Sequence, residues 1–187
     1  MDILPATQTS PRTGGPSFSL RNRLIRMAWA IIWTVLARWT PVPFHAWRRF
    51  LLRVFGAKID RTAKVYPSVD IWYPANLEMH EHSCLASGVN CYCMDRIILE
   101  KFALVSQRAH LCAGTHDVDD PNFQLLARPI RIGINAWVAA EAFVGPGVTV
   151  HRDAVLGARA VTMRDIEAGK IYVGNPAKLL RTRIIHG

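Results

Sequence analysis

A histidine followed by a carboxylate stands where a regular repeat in this 187-residue sequence stops. The segment reads CAGTHD from Cys112 to Asp117, and an irregular stretch with two further aspartates, Asp119 and Asp120, follows it. Histidine titrates near neutral pH and can take a proton from a hydroxyl group while that group attacks a carbonyl carbon. The aspartates could orient the imidazole, bind substrate hydroxyls or only solvate a loop. His116 is therefore a candidate general base, with a plain surface histidine as the alternative.

The segments that hold His116 follow a period of six residues. An apolar residue stands first in each of fourteen blocks, and the fifth position is small in every block except one, where Asp95 stands. This period fits neither an amphipathic helix nor an alternating strand, and it is typical of a parallel β-helix in which three blocks form one triangular coil. The fourteen first positions are Ile59, Val65, Ile71, Met79, Leu85, Cys91, Leu99, Val105, Leu111, Ile132, Val138, Val144, Val150 and Leu156.

Three insertions interrupt the repeat, at 77–78, at about 97–98 and at 117–131. Each one follows three complete blocks, so we expect all three to leave the coil at the same corner. Loops stacked on one side of a solenoid often carry the binding site. Because such a coil has only a thin core, we also expect it to pack against copies of itself. The predicted β-helix spans residues 57–167, and a C-terminal strand and short helix are predicted over residues 168–187.

Most of the positive charge precedes the repeat. Residues 1–56 hold eight arginines and one aspartate, a net +7, whereas residues 57–187 contribute only +2 of the total of +9. No nucleic-acid-binding motif accompanies this charge, so we expect no nucleic-acid partner. The four cysteines show no secreted disulfide framework and are predicted to be reduced thiols in a cytoplasmic protein.

The first 17 residues are rich in Pro, Ser, Thr and Gly and are predicted to be disordered, and residues 18–56 are predicted to form a helical arm. Its apolar run, residues 27–37, is shorter than the roughly 20 residues that cross a bilayer, and no signal peptide is expected. Two interpretations of the arm remain open. It could cap the body or a neighbouring subunit, or it could rest on anionic lipid at the inner face of the membrane.

The sequence resembles the hexapeptide-repeat acyltransferases, and among them the sugar O-acetyltransferases of the colanic-acid-biosynthesis type, which are related to galactoside and maltose acetyltransferases. The resemblance is carried by CAGTHD and by three later segments, AWVAAEAFVGPGVTV, LGARAV and VGNPAKLLRTR. It implies an all-β, left-handed parallel β-helix and a homotrimer with active sites between subunits. It also implies acetyl-CoA as the donor and a saccharide or lipid-linked saccharide as the acceptor, in exopolysaccharide or surface-polysaccharide biosynthesis.

The same resemblance assigns roles to particular residues. His116 matches the family's general base for direct transfer, and the position of Cys93 falls on the acceptor side. Asp117 is a candidate acceptor-binding residue because it stands next to His116. Cys93 stands where many relatives carry an asparagine, which puts the choice of acceptor in doubt. On the donor side, packing is the alternative role for Trp137, and solvated charge is the alternative for Arg164, Lys178 and Arg181. The predicted donor-binding residues are Trp137, Ala140, Ala158, Arg164, Lys178 and Arg181.

Other functions stay open at this point. Acetylation of an amino sugar, or transfer of a longer acyl group, would need the same base. A non-catalytic scaffold is a further alternative. A zinc-dependent carbonic anhydrase of the γ class is the minor alternative, because His80, His82 and His110 accompany His116. His110 and His116 are six residues apart and so fall on successive sides of one coil, and no metal is expected.

Overall fold

The computed structural model describes residues 3–185 and consists mainly of short parallel strands wound into a β-helix, preceded by three helices. The helices are α1 (Ala6–Thr9), α2 (Leu20–Leu36) and α3 (His45–Val54), with 3-10 turns at Pro11–Thr13 and Pro74–Asn76. None of the helices in the described part of the chain is long and apolar enough to cross a membrane.

The strands of successive coils stack into three sheets. Sheet one contains β1 (Lys58–Ile59), β4 (Leu77–Met79), β7 (Ile97–Leu99), β12 (Ile130–Ile132) and β15 (Thr149–Val150). Sheet two contains β2 (Lys64–Val65), β5 (Cys84–Leu85), β8 (Leu104–Val105), β13 (Trp137–Val138), β16 (Val155–Leu156), β18 (Lys170–Val173) and β19 (Lys178–Thr182). Sheet three contains β3 (Asp70–Ile71), β6 (Asn90–Tyr92), β9 (His110–Cys112), β14 (Phe143–Val144) and β17 (Val161–Thr162).

The predicted repeat is confirmed in phase and in coil length. All fourteen first positions are buried, none more than 6% exposed, and they form the column of apolar side chains inside the coil. At most corners the fourth residue of the block takes a left-handed backbone conformation, as at Asn135 (φ 57°) and Asp153 (φ 58°). The small fifth residue, Ala136 or Ala154 in these blocks, then packs inward where the chain turns.

The long insertion is more ordered than the loop predicted over 117–131. The chain leaves the coil as β10 (Gly114–His116) and returns as its antiparallel partner β11 (Leu125–Ala127), so that His116 is opposite Leu125. Ile130 already belongs to sheet one, two residues before the predicted re-entry. A hairpin forms because the backbone groups that leave the coil need hydrogen-bond partners, and the returning strand supplies them.

The helical arm covers the open N-terminal end of the β-helix. The strand N–H groups of the first coil donate to carbonyl groups of the second coil. The carbonyl groups of the first coil therefore lie at the open edge. Side chains of α2 and α3 donate to five of these carbonyls, around all three sides of the coil. The pairs are Trp29 to Ile71, Trp33 to Val69, Arg48 to Val65, Arg49 to Ala63 and Arg53 to Ile59. The arm is therefore a cap that satisfies an exposed sheet edge.

Both chain ends differ from the prediction. The described part of the N-terminal segment, predicted to be disordered, is ordered. It forms α1, and its Ala6 N–H donates to Gln124 Oε1 at 2.7 Å. The short C-terminal helix is replaced by β19, which pairs with β18 after a turn at Gly174 (φ 90°) reverses the chain. Residues 1–2 and 186–187 of these predicted segments lie outside the described residues.

Candidate active site

The hydrogen bond of His116 determines which ring nitrogen can act as a base. The residue ends β10 and is half-buried, and its Nδ1 lies 2.9 Å from the carbonyl oxygen of Phe123. A carbonyl oxygen can only accept, so in the neutral ring Nδ1 carries the proton. Nε2 then keeps its lone pair and is the nitrogen available to take a proton.

Phe123 holds the imidazole a second time through its ring. The two rings are stacked, with centroids 4.4 Å apart and planes inclined by 15°. Phe123 has φ 56°, a left-handed conformation that a bulky residue seldom adopts. Asp120 holds this turn, since its backbone carbonyl accepts from the Phe123 N–H and its Oδ2 accepts from the Gln124 N–H. The hairpin turn is thus built to present Phe123 to His116.

The carboxylates of Asp117 and Asp120 order the turn, and no hydrogen bond joins any of the three aspartates to the imidazole among the described residues. Asp117 Oδ1 accepts from the Asp119 N–H at 3.1 Å, and Asp120 Oδ1 accepts from the Asn122 N–H at 2.8 Å. The orienting role considered for a carboxylate is therefore taken by the Phe123 carbonyl. Asp117 does line the same cleft as His116, so contact with an acceptor remains a prediction for it.

The cleft at His116 lies at the corner between sheets three and one and has a volume of about 320 Å³. Arg128 and Met163 contribute to it and did not stand out in the sequence. Met163 lies so close to Gly145 that a Cβ added there would be 2.4 Å from its sulfur, so a glycine is needed to seat this side chain. The lining residues are Thr115, His116, Asp117, Val118, Leu126, Arg128, Pro146 and Met163.

Four of the six predicted donor-binding residues meet in a second cleft of about 530 Å³, at the corner between sheets two and three. They are Trp137, Ala140, Ala158 and Arg181. The indole of Trp137 is 42% exposed and donates to Ser106 Oγ at 2.8 Å, which fixes the ring in the cleft wall. Ala140 and Ala158 stand on neighbouring coils and leave a furrow along the coil axis. The arrangement suits an extended, narrow ligand with an anionic end.

The other two predicted donor residues, Arg164 and Lys178, lie elsewhere. They line a third cleft of about 410 Å³ beyond the last full coil, together with the turn at Asn175 and Pro176. Met163 borders both this cleft and the one at His116. A single chain therefore divides the predicted donor-binding residues between two corners of the β-helix.

Cys93 does not line any of these clefts, and the predicted acceptor-side role is not supported. Its side chain is 0% exposed, and the thiol donates to the Tyr73 carbonyl at 3.2 Å and accepts from the Tyr73 N–H at 3.3 Å. A buried thiol with both bonds made inside the core cannot contact a sugar. The residue is a packing element at the end of the second coil.

The histidines considered for zinc are separated in the structure. His80 Nε2 forms a hydrogen bond with Glu78 Oε1 at 2.9 Å. His82 stacks on Phe102, and His110 packs edge-on against Phe143. Within residues 3–185, no group of three or more His, Cys, Asp or Glu side chains is arranged to hold a metal ion.

Similarity in sequence shows the family of the chain. A protein of Escherichia coli K12 named as a colanic acid biosynthesis acetyltransferase, WcaF, is 38% identical over 160 residues, which cover 86% of this chain and 87% of that protein. The chain belongs to the hexapeptide-repeat sugar acetyltransferases. No protein-family model matched the sequence.

Solved structures of hexapeptide-repeat acetyltransferases share the fold at lower identity. A maltose O-acetyltransferase from Clostridium difficile 630 superposes with a TM-score of 0.79 at 19% identity, over 89% of this chain and 90% of that one. A hexapeptide-repeat-containing acetyltransferase from Vibrio cholerae O1, complexed with acetyl coenzyme A, superposes with a TM-score of 0.78 at 16% identity, over 97% of this chain and 100% of that one. The resemblance stated from the sequence motifs is therefore confirmed.

Proposed function

We propose that this protein transfers the acetyl group of acetyl-CoA to a hydroxyl group of a saccharide, with His116 as the general base. One observation carries the residue assignment. The Phe123 carbonyl fixes the proton on Nδ1 of His116, which leaves the Nε2 lone pair at a cleft that a substrate can enter. Acetylation of saccharides is the chemistry named for the colanic-acid and maltose acetyltransferases to which the chain is similar.

The proposed mechanism is a direct transfer. Acetyl-CoA supplies an acetyl group already activated as a thioester. His116 Nε2 takes the proton of the acceptor hydroxyl as the oxygen bonds to the acetyl carbon, and the imidazolium returns this proton to the departing sulfur. The products are an acetyl ester and a free thiol. The Phe123 carbonyl and ring stabilise the imidazolium while it carries the proton.

The residues of the second cleft fit the donor. Ala140 and Ala158 leave room for an extended arm against the backbone, the Trp137 indole forms an apolar wall, and Arg181 offers a cation for phosphate. Ile171 and Val155 add apolar surface to the lining of this cleft. We propose that this cleft binds coenzyme A, and that Arg164 and Lys178 serve the same ligand only if a neighbouring subunit brings their cleft near.

We also propose a homotrimer with the active site between subunits. The support is that, within one chain, the candidate base and the candidate donor cleft lie apart. The His116 cleft lies at the corner of sheets three and one, whereas the Trp137 cleft lies at the corner of sheets two and three. Packing side by side would bring one corner of each chain against a different corner of its neighbour, which joins base and donor site.

A cytoplasmic location at the inner face of the membrane is proposed as well. The four cysteines are all free thiols, which suits a reducing compartment. The exposed apolar side chains of the helical arm, such as Ile31 and Trp39, support a membrane contact at this location.

The test is turnover of acetyl-CoA by the purified protein against nucleotide sugars and lipid-linked oligosaccharides. We expect release of coenzyme A thiol only with a saccharide present, and a product that gains one acetyl group and loses it in mild alkali, as an ester does. An alkali-stable amide on an amino sugar, or no thiol release with any saccharide, would contradict the proposal.

A further inference from the structure

Helix α2 carries apolar side chains on two opposite faces. One face, with Trp29 and Trp33, is buried on the first coil. The opposite face carries a stripe at spacings of three and four residues, so its members project from one side of the helix. The stripe consists of Leu20, Leu24, Met27, Ile31 and Val35, which are between 50% and 65% exposed.

Helix α3 and the connection before it extend this stripe. The Trp47 indole donates to the Leu36 carbonyl at 2.7 Å, which places α3 against the end of α2. Trp47 also stacks on Phe50, with ring centroids 5.6 Å apart. Trp39, Phe44 and Val54 are exposed as well. We call the outward apolar side chains of α2, α3 and their connection the outer face of the arm.

The outer face points away from the β-helix at its N-terminal end. The inner sides of both helices are fully used, because they donate to the edge carbonyls of the first coil. A stripe on the opposite side of α2 therefore faces outward along the coil axis. Exposed apolar surface of this extent on a helix that is already packed indicates a docking surface.

The charge around the outer face selects the class of partner. Residues 3–59 contain no aspartate or glutamate. Arg49 and Arg53 are engaged by carbonyls of the first coil. The exposed guanidinium groups of Arg21, Arg23 and Arg38, by contrast, make no hydrogen bond or ion pair with any residue between 3 and 185 that the structure describes. A second copy would bring the same positive charge against itself, whereas anionic lipid head groups would neutralise it.

We propose that the outer face of the arm docks on an anionic lipid bilayer, with α2 and α3 lying in the plane of the interface. Helix α2 is about 25 Å long at 1.5 Å per residue, and its stripe runs along that length. The apolar side chains enter the acyl boundary, Trp39 and Trp47 sit at the level of the head groups, and Arg21, Arg23 and Arg38 meet phosphate.

Docking in this orientation also defines the acceptor, a point that rests on the proposed function. His116 closes the third coil, so two coil spacings of about 4.8 Å separate it from the first coil along the axis. The helix layer adds roughly 10 Å. The base therefore stands roughly 20 Å above the lipid surface, at a height suited to a saccharide attached to a lipid. We infer that the acceptor is lipid-linked rather than free in solution.

Vesicle flotation tests the docking with the full chain and without any acceptor. The probes are phosphatidylcholine vesicles with and without phosphatidylglycerol. We expect binding to the anionic vesicles, weakened by high salt. Ile31→Glu, in the centre of the stripe, should reduce it at least about tenfold, because an apolar side chain is lost and a like charge to the lipid is added. The matched control is Ile185→Glu, an exposed isoleucine at the other end of the chain.

The outcomes separate this proposal from the acetyl-transfer proposal. Ile31→Glu should keep wild-type turnover on a short soluble saccharide and lose turnover on the same saccharide presented on vesicles. Absence of wild-type binding, or equal flotation of Ile31→Glu and wild type, would overturn the docking. If Ile31→Glu instead splits the oligomer in light scattering while flotation is unchanged, the outer face is a subunit interface and the proposal is wrong.

Discussion

The imidazole of His116 is held by a single residue, Phe123, through two contacts of different kinds. The rings stack at 4.4 Å, and the Phe123 carbonyl oxygen lies 2.9 Å from Nδ1. The stacking limits the tilt of the imidazole, and the hydrogen bond fixes its tautomer. Both depend on the left-handed backbone at Phe123 (φ 56°). The insertion therefore acts as a support for the base as well as a wall of the cleft.

Replacing the Phe123 ring should lower kcat more than it changes KM. Phe123→Ala keeps the carbonyl but removes the stacked ring, so Nε2 is less well aimed, and we expect a loss of about tenfold in kcat. Steady-state kinetics with Phe123→Tyr, which keeps an aromatic ring, should show recovery. Phe102→Ala, which removes an exposed ring that also has a left-handed backbone and stacks on a histidine, His82, serves as control. Equal losses in Phe123→Ala and Phe102→Ala would show that the ring does not position the base.

The N-terminal segment should loosen when its contact with the hairpin is removed. Gln124 accepts from the Ala6 N–H and donates to the Leu4 carbonyl, and Arg12 donates to the Pro121 carbonyl. In Gln124→Ala we expect faster tryptic cleavage after Arg12, since local release exposes that bond. Gln107→Ala, an exposed glutamine outside the hairpin, is the matched control. Unchanged cleavage in Gln124→Ala would contradict the contact.

Arg48, which donates to a carbonyl at the open edge of the first coil, should contribute measurably to stability. Arg48 is 0% exposed and donates to the Val65 carbonyl, Thr40 Oγ1 and the Pro41 carbonyl. Arg48→Met leaves buried acceptors without donors, so we expect a loss of about 2–4 kcal/mol in the free energy of unfolding, measured with urea. Arg21→Met removes an exposed arginine that has no partner within the described part of the chain, and should stay within about 0.5 kcal/mol. Similar values for the two variants would refute the capping role.

Much of the β-helix could be predicted because its signal is local and repeated. Every first position from Ile59 to Leu156 is apolar, and every fifth position except Asp95 is small, so phase and coil length follow from the sequence. The hairpin of β10 and β11 could not be predicted in this way. Its register joins Gly114 to Ala127 through backbone pairing, and the side chains on its strands carry no alternating pattern.

The remaining differences have the same physical origin, which is contact between residues distant in sequence. A short helix is predicted within residues 168–187, yet the segment KLLRT at 178–182 forms a strand because β18 offers an edge to pair with. The capping role of Arg48, Arg49 and Arg53 could not be predicted either, since their partners are backbone carbonyls of the first coil. For Cys93, similarity to the family indicated a position near the acceptor, but the burial of the side chain depends on the local path of the backbone.

Stability should fall as the pH is lowered below neutrality. Burial lowers the pKa of both His45 and His110 from the usual 6.5, and His110 Nε2 is buried with no hydrogen-bond partner among residues 3–185. The folded state therefore stays neutral at these sites while the unfolded chain takes up protons below pH 6.5. The stabilisation is complete above the unfolded pKa and is lost as the pH falls towards the folded values.

Thermal unfolding checks this expectation. We expect the Tm to drop between about pH 7.5 and about pH 5.5, and the drop to be smaller in His45→Gln/His110→Gln. His151→Gln, at an exposed corner, should behave as wild type. A double variant with the full wild-type drop would assign the pH dependence to other groups.

The most direct test of the account is the turnover of His116→Ala with acetyl-CoA and a saccharide acceptor, beside His151→Ala as the matched histidine control. Loss of the general base should lower kcat by roughly two to four orders of magnitude, with an unchanged circular dichroism spectrum and unchanged coenzyme A binding. His151→Ala should keep wild-type turnover. A His116→Ala protein that turns over at close to the wild-type rate would contradict the assignment of His116 Nε2 as the base.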